Sequence, residues 1–228
     1  MWKRGITLFK SDGHRLKKQS DHILMEKRVV VEVGEISMTF HTTPQQEEAM
    51  VYGWLWSQGV HFEKGALPVL QKTDKGYVVA GIKRGEVIRQ KTRDIRLTLH
   101  EIQRLLILYK EKAWLYKDTG ISRSVAFSDG KEMLVMAEDM NDTFAFYKAV
   151  GELIKHGCQN KAKVILLSGT LDQSMVRDIV NLGVPMIVSR SAPTDQGLDL
   201  AQEHRLTLVG FARGKRFNVY CGEGRVKT

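Results

Sequence analysis

Apolar positions along this chain recur with two different periods, and the switches between them mark the elements. Residues 23–33 read as a strand, and the alternation Ile36, Met38, Phe40 beyond Gly34-Glu35 predicts an antiparallel partner across a tight turn. Thr43-Pro44-Gln45-Gln46 sets a capping hydroxyl, a proline at the first helical position and a glutamine three residues past the cap. That combination predicts a helix running to about Gly59. Strands are expected again at 77–82 and 87–97. At Thr98-Leu99-His100-Glu101 a second capping box opens a helix whose apolar face is Ile102, Leu105, Leu106 and Tyr109.

Beyond residue 120 the pattern becomes regular. Residues 123–128 and 132–137 predict paired strands around Asp129-Gly130. A helix over 142–156 stops at Gly157, and Val164 to Leu167 is the continuous apolar run of a strand buried on both faces. A helix over 172–182 ends at Gly183, followed by a strand at 186–188, a helix at 195–203 and a strand at 206–211. The last returns as 217–220 across Arg213-Gly214-Lys215. Strands alternating with helices at this spacing predict an α/β, mixed α+β fold. The division expected is a basic N-terminal segment (1–20), a β-rich subdomain with one helix (21–98) and an α/β/α domain (99–228).

The chain has 228 residues, of which 43% are apolar and 27% charged, so it buries a real core and is not disordered overall. No apolar run approaches the roughly 18 residues of a membrane span, and the N-terminus has no secretory pattern. Two cysteines 63 positions apart, Cys158 and Cys221, fit a reducing cytoplasm better than a disulfide scaffold. Neither H-E-x-x-H nor the deaminase pair H-x-E with P-C-x-x-C occurs, which disfavours zinc. The net charge of +9 is concentrated in residues 1–20, 83–96 and 213–228. A basic footprint on a mildly acidic body suits phosphate-bearing partners, or a solvated surface that aids solubility.

Three stretches could carry chemistry. Ser168-Gly169-Thr170 and Ser189-Arg190-Ser191-Ala192-Pro193-Thr194 each follow a strand and precede a helix, where loop amides and hydroxyls meet anions. Ser168, Gly169, Ser191 and Thr194 are therefore binding candidates, the competing reading being helix caps. Phe211-Ala212-Arg213-Gly214-Lys215-Arg216-Phe217-Asn218 is denser, with three cations around one glycine between two phenylalanines. It offers charge to phosphates beside a face for a ring, or is a hairpin with exposed arginines. Cys221 is a weak nucleophile candidate whose thiol Lys215 and Arg216 would acidify, or else a buried structural thiol. His100 reads as a helix-surface residue, and Glu138-Asp139 as adjacent carboxylates pointing apart.

The C-terminal third resembles the formate dehydrogenase accessory protein family, FdhD. The resemblance is carried by Gly183-Val184-Pro185, Ser191-Ala192-Pro193-Thr194, Thr207-Leu208-Val209-Gly210-Phe211-Ala212-Arg213-Gly214 and Arg216-Phe217-Asn218-Val219-Tyr220. Thr43-Pro44, Gly53-Trp54-Leu55 and Gly59-Val60 resemble the family's T-P, G-F-L and E-G-I segment. The resemblance implies a three-layer, cytidine-deaminase-like larger domain without the zinc. It also implies a sulfur carrier that takes a persulfide from a cysteine desulfurase. The sulfur goes to the molybdenum or tungsten bis-molybdopterin guanine dinucleotide before insertion into formate dehydrogenase. The family's F-x-R-G-x-R segment, implicated in holding that cofactor, maps onto Phe211 to Arg216, with GDP or GMP as a mimic. A homodimer is implied as well.

The chain departs from that pattern where sulfur chemistry resides. The family's C-G-x-C-G loop belongs ahead of the helix at Thr98, yet residues 59–118 contain no cysteine. No other side chain replaces a thiolate in persulfide transfer. T-G-G-x-H reads Thr119-Gly120-Ile121-Ser122-Arg123, E-D-V-G-R-H-N-A reads Glu138 to Ala145, and S-G-R ends in Thr170. Three readings stay open: a sulfur-relaying accessory protein, a noncatalytic scaffold for a guanine-dinucleotide cofactor, and nonspecific nucleic-acid binding through the basic patches.

Overall fold

Four sheets, of six, four, two and two strands, organise the described residues in a computed structural model, which describes residues 2–60, 67–82 and 94–228. A ribbon of two strands, β1 (Lys3–Ser11) and β2 (Leu16–Leu24), comes first. Next are β3 (Lys27–Val33), β4 (Ile36–Thr42), the helix α1 (Glu47–Ser57), β5 (Val69–Lys72) and β6 (Gly76–Ala80). The remainder holds β7 (Leu97–Thr98), α2 (Leu99–Lys112), α3 (Trp114–Thr119), β8 (Arg123–Ser128), β9 (Met133–Asp139) and α4 (Asp142–Lys155). It continues through β10 (Val164–Leu167), α5 (Gln173–Asn181), β11 (Met186–Ser189), α6 (Asp195–Glu203), β12 (Thr207–Arg213), β13 (Arg216–Cys221) and β14 (Val226–Lys227).

The large sheet has the order β13-β12-β11-β10-β8-β9. β10, β11 and β12 run parallel, joined by α5 and α6, while β8, β9 and β13 are antiparallel to their neighbours. Successive side chains of β10 point to opposite faces. Ile165 and Leu167 join a core with Phe146 and Leu153 of α4 and Val176 and Ile179 of α5. Val164 and Leu166 join another with Ile102, Leu105 and Tyr109 of α2. Helices thus cover both faces, giving the expected three layers, and the unbroken apolar run of β10 follows from burial on both sides.

A third, smaller core lies between α1 and the sheet β4-β3-β6-β5, with Val29, Val31, Phe40, Trp54 and Val79 inside it. Every residue of α1 from Ala49 to Trp56 is buried, because this sheet takes one side and α4 the other. A helix enclosed this way needs no polar stripe. α1 and α4 cross with backbones in contact. A Cβ on Gly53 would stand 1.9 Å from the Tyr147 carbonyl oxygen, and one on Gly151 would stand 1.7 Å from that of Ala49.

Several sequence expectations need correction. Residues 23–33 do not form one strand, since β2 ends at Leu24 and β3 begins at Lys27. Residues 1–20 are more than a charged segment, because they supply most of a nine-pair ladder. Thr43 does not cap α1: the cap position is Gln46, in the left-handed region (φ 51°), with no side-chain hydrogen bond. The Thr43 hydroxyl is engaged elsewhere, 3.1 Å from Asp139 Oδ2 and 2.6 Å from Lys148 Nζ. Of the strand expected at 87–97, residues 87–93 lie outside the described residues, and Leu97–Thr98 pairs in parallel with β14. The capping box at Thr98 is present as expected, with Thr98 Oγ1 accepting from the Glu101 amide and Glu101 Oε2 from the Thr98 amide. Among the described residues no helix is long and apolar enough to cross a membrane.

Candidate functional site

The carboxyl ends of β10, β11 and β12 meet in a small hydrogen-bonded shelf. Ser191 Oγ donates to the Ser168 carbonyl at 3.1 Å, and Ser189 Oγ donates to that of Gly169 at 3.0 Å. The Ser191 carbonyl accepts from the Phe211 amide at 3.3 Å. Four of the predicted residues are therefore neighbours: Ser168, Gly169, Ser191 and Phe211. The two serine hydroxyls serve the shelf itself, since Ser168 Oγ also accepts from the Ser124 amide. Thr194 lies apart as the cap of α6, accepting from the Gly197 amide at 3.1 Å. Gly169 admits the Asp142 carboxylate so closely that a Cβ there would lie 2.2 Å from Oδ1.

β12 is irregular where the motif begins. Its register with β13 shifts between Gly210 and Arg213, and Phe211 takes a left-handed backbone (φ 50°) that side chains disfavour. The bulge turns Phe211 outward, 47% exposed, and Ala212 inward beneath α2. Gly210 makes room for this, because a Cβ would sit 2.8 Å from the Tyr220 ring and 3.0 Å from the Ser191 carbonyl. Arg213 then pairs with Arg216 across the turn at Gly214 (φ 62°). A strained bulge beside a tight cationic turn is the kind of local distortion that clusters at binding sites.

Between this turn and the helices α2 and α3 opens a cavity of about 350 Å³. Arg213, Gly214 and Ala212 form one wall; Tyr109, Lys110, Tyr116 and Lys117 form another, and Arg190 projects from the loop after β11. The Arg190 guanidinium lies over the Tyr116 ring, 5.6 Å from its centre, a cation–π geometry. Glu138 fixes this helical wall from below. Its buried carboxylate accepts from the amides of Leu115 (2.8 Å) and Tyr116 (3.1 Å) and from Ser122 Oγ (2.9 Å). The Tyr109 hydroxyl donates to the Ser124 carbonyl at 2.8 Å, and burial raises its pKa above the ordinary phenol value.

The remaining predicted residues are distributed differently. Lys215 and Arg216 are exposed at the tip and do not line the cavity, Phe211 faces solvent, and Asn218 sits opposite Gly210 in the ladder. The sequence reading did not single out Lys110, Tyr116 or Lys117, and Arg190 was noted only as part of its loop. Tyr109 stood out by helical spacing alone. Nothing local marks the lysines, since α2 and α3 must first be folded over the sheet to bring them to the hairpin.

Neither cysteine has a reactive environment. Cys221 is half-buried, its thiol donates to the Leu206 carbonyl at 3.4 Å, and burial raises its pKa. The acidification expected from Lys215 and Arg216 is overturned, since its neighbours are Leu206, Leu208, Glu223 and Arg225. Cys158 likewise donates to a carbonyl, that of Leu153, and burial raises its pKa. Among the described residues no three His, Cys, Asp or Glu are grouped to hold a metal.

Fold and site together define a three-layer α/β protein with a cationic, tyrosine-walled cavity at the carboxyl edge of its sheet. The chain belongs to the FdhD/NarQ family, whose model matches residues 72–227. It is 28% identical over 246 residues to the sulfur carrier protein FdhD of Geobacillus kaustophilus, covering 93% of this chain and 92% of that one. Against the protein of the same name from Methanothermobacter thermautotrophicus the identity is 26%, with 98% of each chain covered. A crystal structure of a candidate formate dehydrogenase accessory protein from Desulfotalea psychrophila superposes with a TM-score of 0.85 over 100% of both chains, at 20% identity. That likeness shows the shared fold.

Proposed function

We propose that this chain acts in formate dehydrogenase maturation as a binding protein for a guanine-dinucleotide molybdenum or tungsten cofactor, its cargo, without relaying sulfur through its own cysteines. The observation carrying this reading is the cavity in which Arg190, Arg213, Lys110 and Lys117 surround a tyrosine-faced space of about 350 Å³. Ligand pockets span about 300 to 1,000 Å³, so one nucleotide end of such a cargo suits this space better than the whole molecule. Guanidinium and ammonium groups give phosphates charge-assisted hydrogen bonds, and Tyr116 with Arg190 offers a flat face to a ring. The family membership supports the pathway, and the relatives' names support sulfur handling somewhere in it.

Sulfur relay through this chain would require a thiolate, and both thiols here are less acidic than usual, each bonded to a backbone carbonyl. Two measurements test the reading. In calorimetric titration GDP binds the wild-type chain, and Arg190→Ala with Arg213→Ala weakens binding at least about tenfold, within the range of charged hydrogen bonds. Unchanged binding would remove the cavity assignment. Incubation with a cysteine desulfurase and cysteine leaves no persulfide on Cys158 or Cys221 by mass spectrometry. An adduct on either would restore the sulfur-relaying reading.

A further inference from the structure

Among the described residues the β1–β2 ribbon contributes to none of the three cores and to no wall of the cavity. It pairs over nine residues, from Lys3 opposite Leu24 to Ser11 opposite Leu16, and stands as a sheet of two strands. β2 is exposed throughout except at Leu24, and β1 has partial cover only at Lys3, Ile6 and Leu8. Such a ribbon is marginally stable in water by itself, and among the described residues no third strand pairs with either of its outer edges. Proline and short length, two common ways of blunting an edge, are both missing here.

Its charge points to what would cover it. From Lys3 to Leu24 there are six cations against Asp12 and Asp21. Lys10 faces Lys17 directly across the ladder; Lys17 is paired with Asp12 at 3.1 Å, whereas no acid among the described residues pairs with Lys10 or Lys18, which favours an anionic neighbour. Phe9, opposite Lys18, and Leu16 are 65% and 68% exposed. A second copy meeting ribbon to ribbon would set these lysines against each other. Nucleic acid would satisfy the charge but not the open peptide edge, which a strand of protein matches.

The root of the ribbon ties it to the site. The Trp2 ring meets that of Trp114 edge-on, with centres 4.5 Å apart, and Lys3 Nζ pairs with Asp118 Oδ2 at 2.9 Å. Both partners are on α3, the helix that presents Tyr116 and Lys117 to the cavity. An enzyme receiving cargo from that cavity must approach its mouth, and the ribbon springs from the same wall.

We infer that the β1–β2 ribbon is a docking arm for the acceptor formate dehydrogenase, which adds an acidic strand-forming segment to its open edge. The inference rests on the cargo role proposed for the cavity. The test uses the full chain and immobilised formate dehydrogenase apoprotein from the same organism. Lys10→Glu with Lys18→Glu removes no ion pair among the described residues and sets an acid opposite Lys17, so the ribbon is kept. The expected result is at least a tenfold weaker dissociation constant for the apoprotein, with GDP affinity and unfolding midpoint unchanged. Phe9→Ser weakens docking in the same direction without altering charge. Wild-type affinity in both variants would overturn the inference, as would failure of the wild-type chain to bind the apoprotein. So would a double variant changed only in self-association, measured by light scattering, or only in binding DNA or RNA. If GDP does not bind the wild-type chain, the cavity reading fails by itself, and the apoprotein comparison still decides whether the arm docks a protein.

Discussion

Lys148 Nζ lies 2.7 Å from Asp139 Oδ2 with both side chains fully buried, and this pair joins the α4 side of the large sheet to the small-sheet core. Lys148 comes from α4 and Asp139 from the end of β9, while Thr42 and Thr43, at the end of β4, complete the cluster. Asp139 accepts from the Thr42 hydroxyl at 2.6 Å and the Thr43 amide at 3.1 Å, so its lone pairs are well used. Burial lowers the Lys148 pKa from its ordinary value, and Asp139 opposes that change. A pair satisfied in this way adds little net stability against an apolar substitute, but losing one member leaves an uncompensated buried charge. Lys148→Met is expected to cost about 3 to 5 kcal/mol in urea unfolding. Adding Asp139→Asn should recover a substantial part of that loss; a double variant no more stable than Lys148→Met would show that the threonines, and not the charge, hold the junction.

The α1–α4 crossing is the second joint between the cores. Because a Cβ on Gly151 would overlap the Ala49 carbonyl, Gly151→Ala forces the helices apart. Overpacking of this kind costs about 1 to 3 kcal/mol and sometimes more. Neighbouring Ala149→Gly, which removes a buried methyl without opening or blocking the crossing, should cost less. The comparison is read from unfolding midpoints at constant m-value; since Gly→Ala by itself favours a helix, a Gly151→Ala chain as stable as the wild type would show that the crossing has room for the methyl.

How far the sequence carried these features depends on the reach of the interactions. The Thr98–Glu101 box closes within four residues, and β10 shows its burial in four consecutive apolar side chains. Both were legible. Thr43 was misread because its hydroxyl is taken by Lys148, 105 positions away, and a local capping pattern holds no trace of that competitor. β2 was missed because its exposed segment, Lys17 to His22, lacks the apolar alternation of a half-buried strand. The hairpin at Arg213–Arg216 is legible from its glycine and paired strands, yet Lys215 and Arg216 do not line the cavity that Arg190, Lys110 and Lys117 complete. A cavity wall assembled from α2, α3 and the β11 loop exists only after packing.

Glu138 offers a way to loosen the cavity wall without touching its cations. Its carboxylate receives the amides of Leu115 and Tyr116, so Glu138→Gln leaves one good acceptor where there were two. Faster amide hydrogen exchange at those two residues, with exchange in β10 unchanged, is the expected result. GDP affinity should fall severalfold because Tyr116 and Lys117 are held less firmly. Unaltered exchange at Leu115 and Tyr116 would mean that α3 is fixed by other contacts, among them Trp2 on Trp114 and Lys3 on Asp118.

Cys158 and Cys221 should behave as structural thiols. Burial raises both pKa values, so at pH 7.5 the thiolate fraction is below that of a free cysteine. Alkylation by iodoacetamide in the native state should therefore be slower than in the urea-unfolded chain, and should keep rising above pH 9. Rapid native alkylation of Cys221 at neutral pH would place an acidic thiol there after all.

Asp178 on α5 supplies a pH signature of folding. Burial is the main cause of its pKa being pushed up to about 6; Arg177 opposes this and Asp172 adds to it. In the unfolded chain the group titrates near its ordinary value, about 3.9. Between roughly pH 4 and 6 the folded state thus holds more protons than the unfolded state, and this carboxyl's contribution to stability falls as the pH rises through that window. Above pH 6 its full penalty is present, on the order of 1 to 2 kcal/mol once solvent screening of a partly exposed group is allowed for. Asp178→Asn should raise the urea midpoint at pH 7.5 and leave it nearly unchanged at pH 4. An equal gain at both pH values would assign the effect to helix propensity or packing, since neither depends on the carboxyl's proton.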